Sequence, residues 1–139
     1  MSKILAIDYG EKNIGLALSD DEQKFAFAYN TLQVDRRRQT SNKTAKIIAD
    51  LKKICQLEKV VRIVVGLPIG LTGNHTKKTE EVFAFVKELE EELNLPVETE
   101  DERYTTVAAA RLPQKNARNI DELSAQILLA GYLERVNGF

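Results

Sequence analysis

The chain has 139 residues, which gives a single domain over 1–139 with room for its own core. Apolar residues make 43% and charged residues 29%, with a formal net charge of −1, so no overall positive field draws in nucleic acid and any such contact must use a local basic patch. One cysteine excludes an intramolecular disulfide, no apolar run nears the roughly 20 residues that cross a bilayer, and the short apolar start ends in Asp8 without a signal-peptide pattern; a cytoplasmic protein without a membrane partner is expected.

Lys3 to Asp20 reads as two β-strands joined by a turn at Gly10. Ile4, Ala6 and Asp8 share one face of the first strand, and Leu5 and Ile7 the other. Both faces are apolar, so this strand is expected to be central and covered on both sides. Asp8 ends the apolar run, and a buried carboxylate must titrate, pair or hold a cation. In the second strand Ile14, Leu16 and Leu18 are large, whereas Gly15, Ala17 and Ser19 are small. The small face implies close approach of backbone or helix.

Phe25 to Val34 alternates aromatics with alanines and reads as a third strand. Asp35-Arg36-Arg37-Arg38 follows, either a solvated turn or a phosphate-contacting patch. Ser41 to Leu57 keeps the helical period through Ala45, Ile48, Leu51 and Ile54, with Ser41 or Asn42 as cap; Cys55 near its end reads as a buried structural thiol. Val60 to Gly66 is a β-branched run that predicts a parallel, buried strand. The loop after Pro68 carries the lone His75, by default a surface imidazole.

A second helix starts at Thr76 or Thr79, with Val82, Val86, Leu89 and Leu93 on one stripe joined by Phe83 and Phe85. It ends at Asn94-Leu95-Pro96. Val97 to Asp101 is a short strand, and Thr105 or Thr106 caps a short helix through Leu112. After a polar loop with Lys115 and Arg118, Asp121 opens a last helix through about Val136, apolar nearly all round and so expected to be buried. The order β-β-β-α-β-α-β-α-α predicts an α/β fold: a five-stranded mixed sheet with helices on both faces.

This order, with Asp8 ending the first strand, resembles the ribonuclease H-like fold. Ile7-Asp8-Tyr9-Gly10-Glu11-Lys12-Asn13-Ile14-Gly15-Leu16-Ala17, Val64-Val65-Gly66-Leu67-Pro68 with Gly73, Asp101-Glu102-Arg103-Tyr104-Thr105-Thr106 and Ile120-Asp121-Glu122-Leu123-Ser124-Ala125 together resemble the four motifs of the YqgF/RuvX family of resolvase-like nucleases. The chain departs from the family pattern at Asn13 (usually Arg), Leu71-Thr72 (usually Met-Asp) and Ser124 (usually Ala). The resemblance implies a nuclease for structured nucleic acid that matures the 5′ end of pre-16S rRNA in the cytoplasm. A Holliday-junction resolvase acting on branched DNA is the alternative, and a non-catalytic nucleic-acid or protein-binding module a further one.

Hydrolysis of a phosphodiester needs an attacking water, an in-line leaving group and neutralised charge, which divalent cations supply. Mg²⁺ or Mn²⁺ wants oxygen ligands, so acidic side chains must converge from separate elements. Asp8, Glu102 and Asp121 are the expected catalytic and metal-binding set. Asp101 is the substitute for Glu102: it shares the parity of Val97 and Thr99, whereas the resemblance favours Glu102, which is preferred because the strand is ending there. Each acid also has a plain reading. Asp8 could pair with Lys12 or Arg103, Glu102 with Arg103, and Asp121 could be an N-cap. Ser124 and Ala125, small and on Asp121's face, would let the helix press on the sheet near Asp8. Lys12 and Arg103 could hold phosphate oxygens, and Thr105 and Thr106 an anion at a helix start; Gly10 and the Arg36, Arg37, Arg38 patch complete the expected substrate contacts. Asp-x-Gly after a first strand also opens actin-like and sugar-kinase ATPases, but those close two such domains on the nucleotide.

Overall fold

The computed structural model describes residues 2–34, 40–67, 77–101, 112 and 116–138, with backbone alone for 40–43. Five strands, β1 (Lys3–Tyr9), β2 (Asn13–Ser19), β3 (Ala26–Gln33), β4 (Val60–Leu67) and β5 (Val97–Asp101), form one sheet in the order β3-β2-β1-β4-β5. The helices are α1 (Thr40–Glu58), α2 (Lys77–Leu93) and α3 (Ile120–Asn137). β1 and β2 are antiparallel, as are β2 and β3, while β4 and β5 run parallel to β1. The C-terminal ends of β1, β3, β4 and β5 therefore share one rim.

The sheet is covered on both faces, as the doubly apolar β1 requires. Leu5, Ile7, Ile14, Leu16, Ile63 and Val65 pack against α1 and α2 through Leu51, Val82, Phe85 and Leu89. Ile4, Ala6, Ala17 and Val64 pack against α3 through Ala125, Leu128, Leu129 and Tyr132. The small residues of β2 meet α3, which is the close approach that their size implied. Ser19 serves the ladder instead: its Oγ accepts from the Ile4 N–H at 2.8 Å and donates to the Asp20 carbonyl at 2.9 Å.

Several local expectations are corrected. α1 opens at Thr40, so Ser41 and Asn42 lie inside its first turn rather than at the cap. Of the two starts expected for α2, Thr79 is excluded, since the helix opens at Lys77 and Thr79 is buried within it, while Thr76 lies outside the described residues. Phe85 joins the α2 stripe, but Phe83, two residues back on a helix, turns outward and is exposed. α3 is buried along one side only, with Arg135 and Val136 exposed near its end. The short helix expected through Leu112 lies outside the described residues.

Candidate functional site

Four strands end at one rim, and Asp8 lies there near the end of β1. In the ladder Asp8 pairs with Gly15, and Gly15 pairs with Thr31, so the three residues form a row across β1, β2 and β3. Directly opposed residues in neighbouring strands share a face. Asp8 shares that face with Ile4 and Ala6, both of which pack under α3. The first turn of α3 lies on the row. A Cβ placed on Gly15 would come 3.2 Å from Asp121 Cα and would overlap the Asp121 carbonyl. Only a residue without a side chain admits the helix this closely. Asp121 is thus set over the strand next to Asp8, and both are half-buried.

Asp121 is not the helix cap. Asn119 is: its backbone is extended, and its side chain accepts from the Glu122 N–H at 2.9 Å. A capping duty therefore does not account for an acid at position 121. Glu122, by contrast, is 1% exposed. Its carboxylate accepts from Arg118 Nη2 at 2.9 Å, from the Arg118 backbone N–H at 3.1 Å and from Thr31 Oγ1 at 3.3 Å. Burial alone would push its pKa up, but the Arg118 hydrogen bonds and charge, with Thr31, hold it below the usual carboxylate range. The sequence reading passed over Glu122. Arg118 four residues ahead of it was the available signal.

Asp101 lies on the other face. It pairs with Leu67, which belongs to the α1–α2 core with Ile7 and Val65. Its strand neighbours Glu98 and Glu100 face α3, bonding Tyr132 and Arg135. Sharing parity with Val97 does point Asp101 inward, but toward the layer away from Asp8. Gly10 has a structural duty as well, since a Cβ there would fall on the Asn13 carbonyl of the tight β1–β2 turn. Lys12 is exposed at that turn, and its carbonyl accepts from the Val34 N–H at 2.9 Å. The chain thus enters the Arg36–Arg38 stretch from the Asp8 rim. Glu102, Arg103, Thr105, Thr106, Arg36, Arg37, Arg38 and His75 lie outside the described residues.

Among the described residues, no three acids, histidines or cysteines stand close enough to hold a metal ion. Asp8 and Asp121 supply two carboxylates, and both are hard oxygen donors of the kind that Mg²⁺ or Mn²⁺ takes. Their donor chemistry fits such a cation. Cys55 is buried, with its pKa pushed up to about 11 by burial, and lies on the α1–α2 face, away from these acids.

A family model described as "RuvX: Holliday junction resolvase" matches residues 2–135. A protein of Maridesulfovibrio salexigens named "Putative pre-16S rRNA nuclease" is 36% identical over 140 residues, covering 96% of this chain and 98% of its own. Among solved structures, the Thermus thermophilus RuvC in complex with Holliday junction substrate superposes with a TM-score of 0.74 at 12% identity, covering 99% of this chain and 97% of that one. A ROK hexokinase from Thermus thermophilus superposes with a TM-score of 0.54 at 17% identity over 78% of this chain, but only 37% of its own. At these identities the two structures show the shared fold, a mixed sheet of ribonuclease H-like type.

Proposed function

Because the chain belongs to the RuvX family, we propose that it is a divalent-metal-dependent nuclease that cuts phosphodiester bonds in structured nucleic acid, with the 5′ end of precursor 16S rRNA as its substrate. The nuclease class follows from the family. The observation that carries the site is the seating of Asp121 on Gly15, the ladder partner of Asp8. A helix and a strand more than a hundred residues apart in sequence meet there, which supports a site shared by the two carboxylates.

Asp8, Asp121 and Glu102 would hold the Mg²⁺ or Mn²⁺. Glu102 is preferred to Asp101 because Asp101 turns to the α1–α2 layer, away from Asp8's face. Bound there, the cation would neutralise phosphate charge and lower the pKa of an attacking water. The chain's own residues would do the rest. Lys12 is exposed beside the rim and in reach of a phosphate, and Arg103 follows Glu102 directly. Thr105 and Thr106 offer hydroxyls. Arg36 follows Val34 by two residues in the sequence, and Arg36–Arg38 would serve as a backbone-tracking patch. Such contacts weaken steeply with salt. Among the described residues no helix is long and apolar enough to cross a membrane, and the proposed substrate places the work in the cytoplasm.

A second reading, cleavage of a Holliday junction, is favoured by the family description and by the RuvC complex. Purified protein should be offered a precursor RNA with a 5′ extension and a four-way DNA junction, each with Mg²⁺ or Mn²⁺ and with chelator. Preferential metal-dependent RNA cleavage supports the first reading, and preferential junction cleavage replaces it with the second. Asp8→Asn should abolish cleavage and leave the metal-free melting temperature unchanged or higher, since removing one of the crowded acids relieves repulsion. Equal cleavage by wild type and Asp8→Asn would refute the assigned site. A large metal-free destabilisation of the variant would make Asp8 a structural ion-pair partner.

A further inference from the structure

Glu122 is a buried carboxylate that the proposed metal site does not use. With both oxygens engaged and 1% of its surface exposed, it cannot itself receive a cation without dismantling its contacts. The partners tell what it does. Asn119 Oδ1 takes the Glu122 N–H at 2.9 Å, and Asn119 Nδ2 donates to Thr31 Oγ1 at 3.1 Å. The one Thr31 proton has two acceptors in reach, Asn119 Oδ1 at 3.2 Å and Glu122 Oε2 at 3.3 Å, and both belong to the start of α3. Every polar atom of this small set has a partner, and the set joins the first turn of α3 to β3.

Its position in the ladder gives the joint its meaning. Thr31 is the far end of the row Asp8–Gly15–Thr31. The helix is fixed at Thr31 and lies on bare Gly15, which puts the Asp121 main chain over the strand that pairs with Asp8. Neighbouring strands stand about 4.8 Å apart, so the row spans roughly 10 Å from Thr31 to Asp8. A helix start loosened at Thr31 could lift or rotate by a fraction of that length, enough to spoil a shared ligand geometry. We infer that Glu122 and Thr31 are positioning residues: they lock the start of α3 so that Asp121 and Asp8 form one metal site. Arg118 completes the lock by supplying the countercharge, and it also donates to Asn30 Oδ1 at 3.1 Å on β3.

This inference rests on the metal-dependent reading above, and its test separates the two. Wild type, Thr31→Val, Thr31→Ser and Glu122→Gln are compared by two readouts. One is the rise in melting temperature on adding Mn²⁺, and the other is the Mn²⁺ concentration that gives half-maximal cleavage. Thr31→Val keeps the shape and removes the hydroxyl, and it should raise the half-maximal Mn²⁺ by about 10-fold, as losses behind a metal ligand do. Thr31→Ser restores the hydroxyl and should restore the wild-type Mn²⁺ requirement. Glu122→Gln should behave like Thr31→Val, and it keeps the question open to test if Thr31→Val fails to fold. A lower metal-free melting temperature with an unchanged Mn²⁺ requirement in Thr31→Val and Glu122→Gln would make the lock merely structural and overturn the inference. A wild type whose melting and cleavage ignore Mn²⁺ would overturn the metal-dependent reading, and the inference with it.

Discussion

The two faces of the sheet are built from different materials. Under α1 and α2 lie large aliphatic side chains from β1, β2 and β4, and the buried carboxylates among the described residues, Glu100 and Glu122, are on the α3 side. Under α3 the sheet offers Ala6, Ala17, Ala26 and bare Gly15, and this helix brings Glu122 and Gln126 into buried positions. Burying apolar surface stabilises by about 25 cal/mol per Å². On the α1–α2 face that gain comes from large side chains of sheet and helices alike. The α3 face gives up volume and lets a helix backbone come within contact of a strand. That closeness is what can set Asp121 beside Asp8, so one face holds the domain together and the other can hold two acids in register. If this division is real, damage to the two faces should have different consequences.

The largest effect is expected where the close approach is tightest. Gly15→Ala adds one methyl group, but that methyl meets the Asp121 backbone, which no rotamer change can move aside. Overpacking of this kind typically costs 1–3 kcal/mol and occasionally more, and here about 3 kcal/mol or more is expected because the obstacle is main chain. Urea denaturation should show the loss, and cleavage should fall with it even below the melting transition, since α3 must lift off the Asp8 row. A Gly15→Ala protein with wild-type stability and wild-type cleavage would mean that α3 does not sit where the acids need it.

Much of this division was legible beforehand, and the failures have physical causes. Val97–Asp101 emerged with its observed bounds because Pro96 precedes it and alternation fixes its pleat. The run Gly15, Ala17, Ser19 announced a close neighbour, since small residues on a covered strand have no other use. The parity of Asp101 misled because the sheet is covered twice, so that "inward" names two layers. Val97 belongs to the α1–α2 one. The cap of α3 was sought at Asp121 and lies at Asn119, an equally good capping type whose side chain also bonds Thr31 on β3. Glu122 reads locally as a solvated acid of a first helical turn, and only the packing of α3 on β3 buries it. Contacts between segments some ninety residues apart leave no periodic trace in either segment.

An effect confined to stability is expected on the other face. Leu51 of α1 is fully buried in the apolar cluster. Leu51→Ala removes part of its side chain and leaves a cavity, at about 2–5 kcal/mol. Stability should drop by that amount in denaturant, while cleavage per folded molecule and the Mn²⁺ requirement stay at wild-type values at 25 °C. Comparison with Thr31→Val then separates the faces: one variant loses stability at constant metal requirement, and the other shifts the metal requirement. A Leu51→Ala protein that is folded by circular dichroism yet needs more Mn²⁺ would show that the two layers are coupled through the strands.

The smallest effect concerns Cys55, also on the apolar face. Burial pushes its pKa up to about 11, against 9.0 for the free thiol. The unfolded chain therefore releases this proton first as pH rises. The Cys55 contribution to stability is complete below about pH 9 and is lost as pH climbs toward 11, because ionisation then favours the unfolded chain. At pH 8 the native thiol should react with iodoacetamide about a hundredfold more slowly than the urea-unfolded chain, since only the thiolate is nucleophilic. Cys55→Ala should remove this component of the alkaline slope and leave the Mn²⁺ dependence of cleavage untouched. Rapid alkylation of the native protein at pH 8 would place Cys55 in water and open the apolar face at the end of α1, where that face was held to be closed.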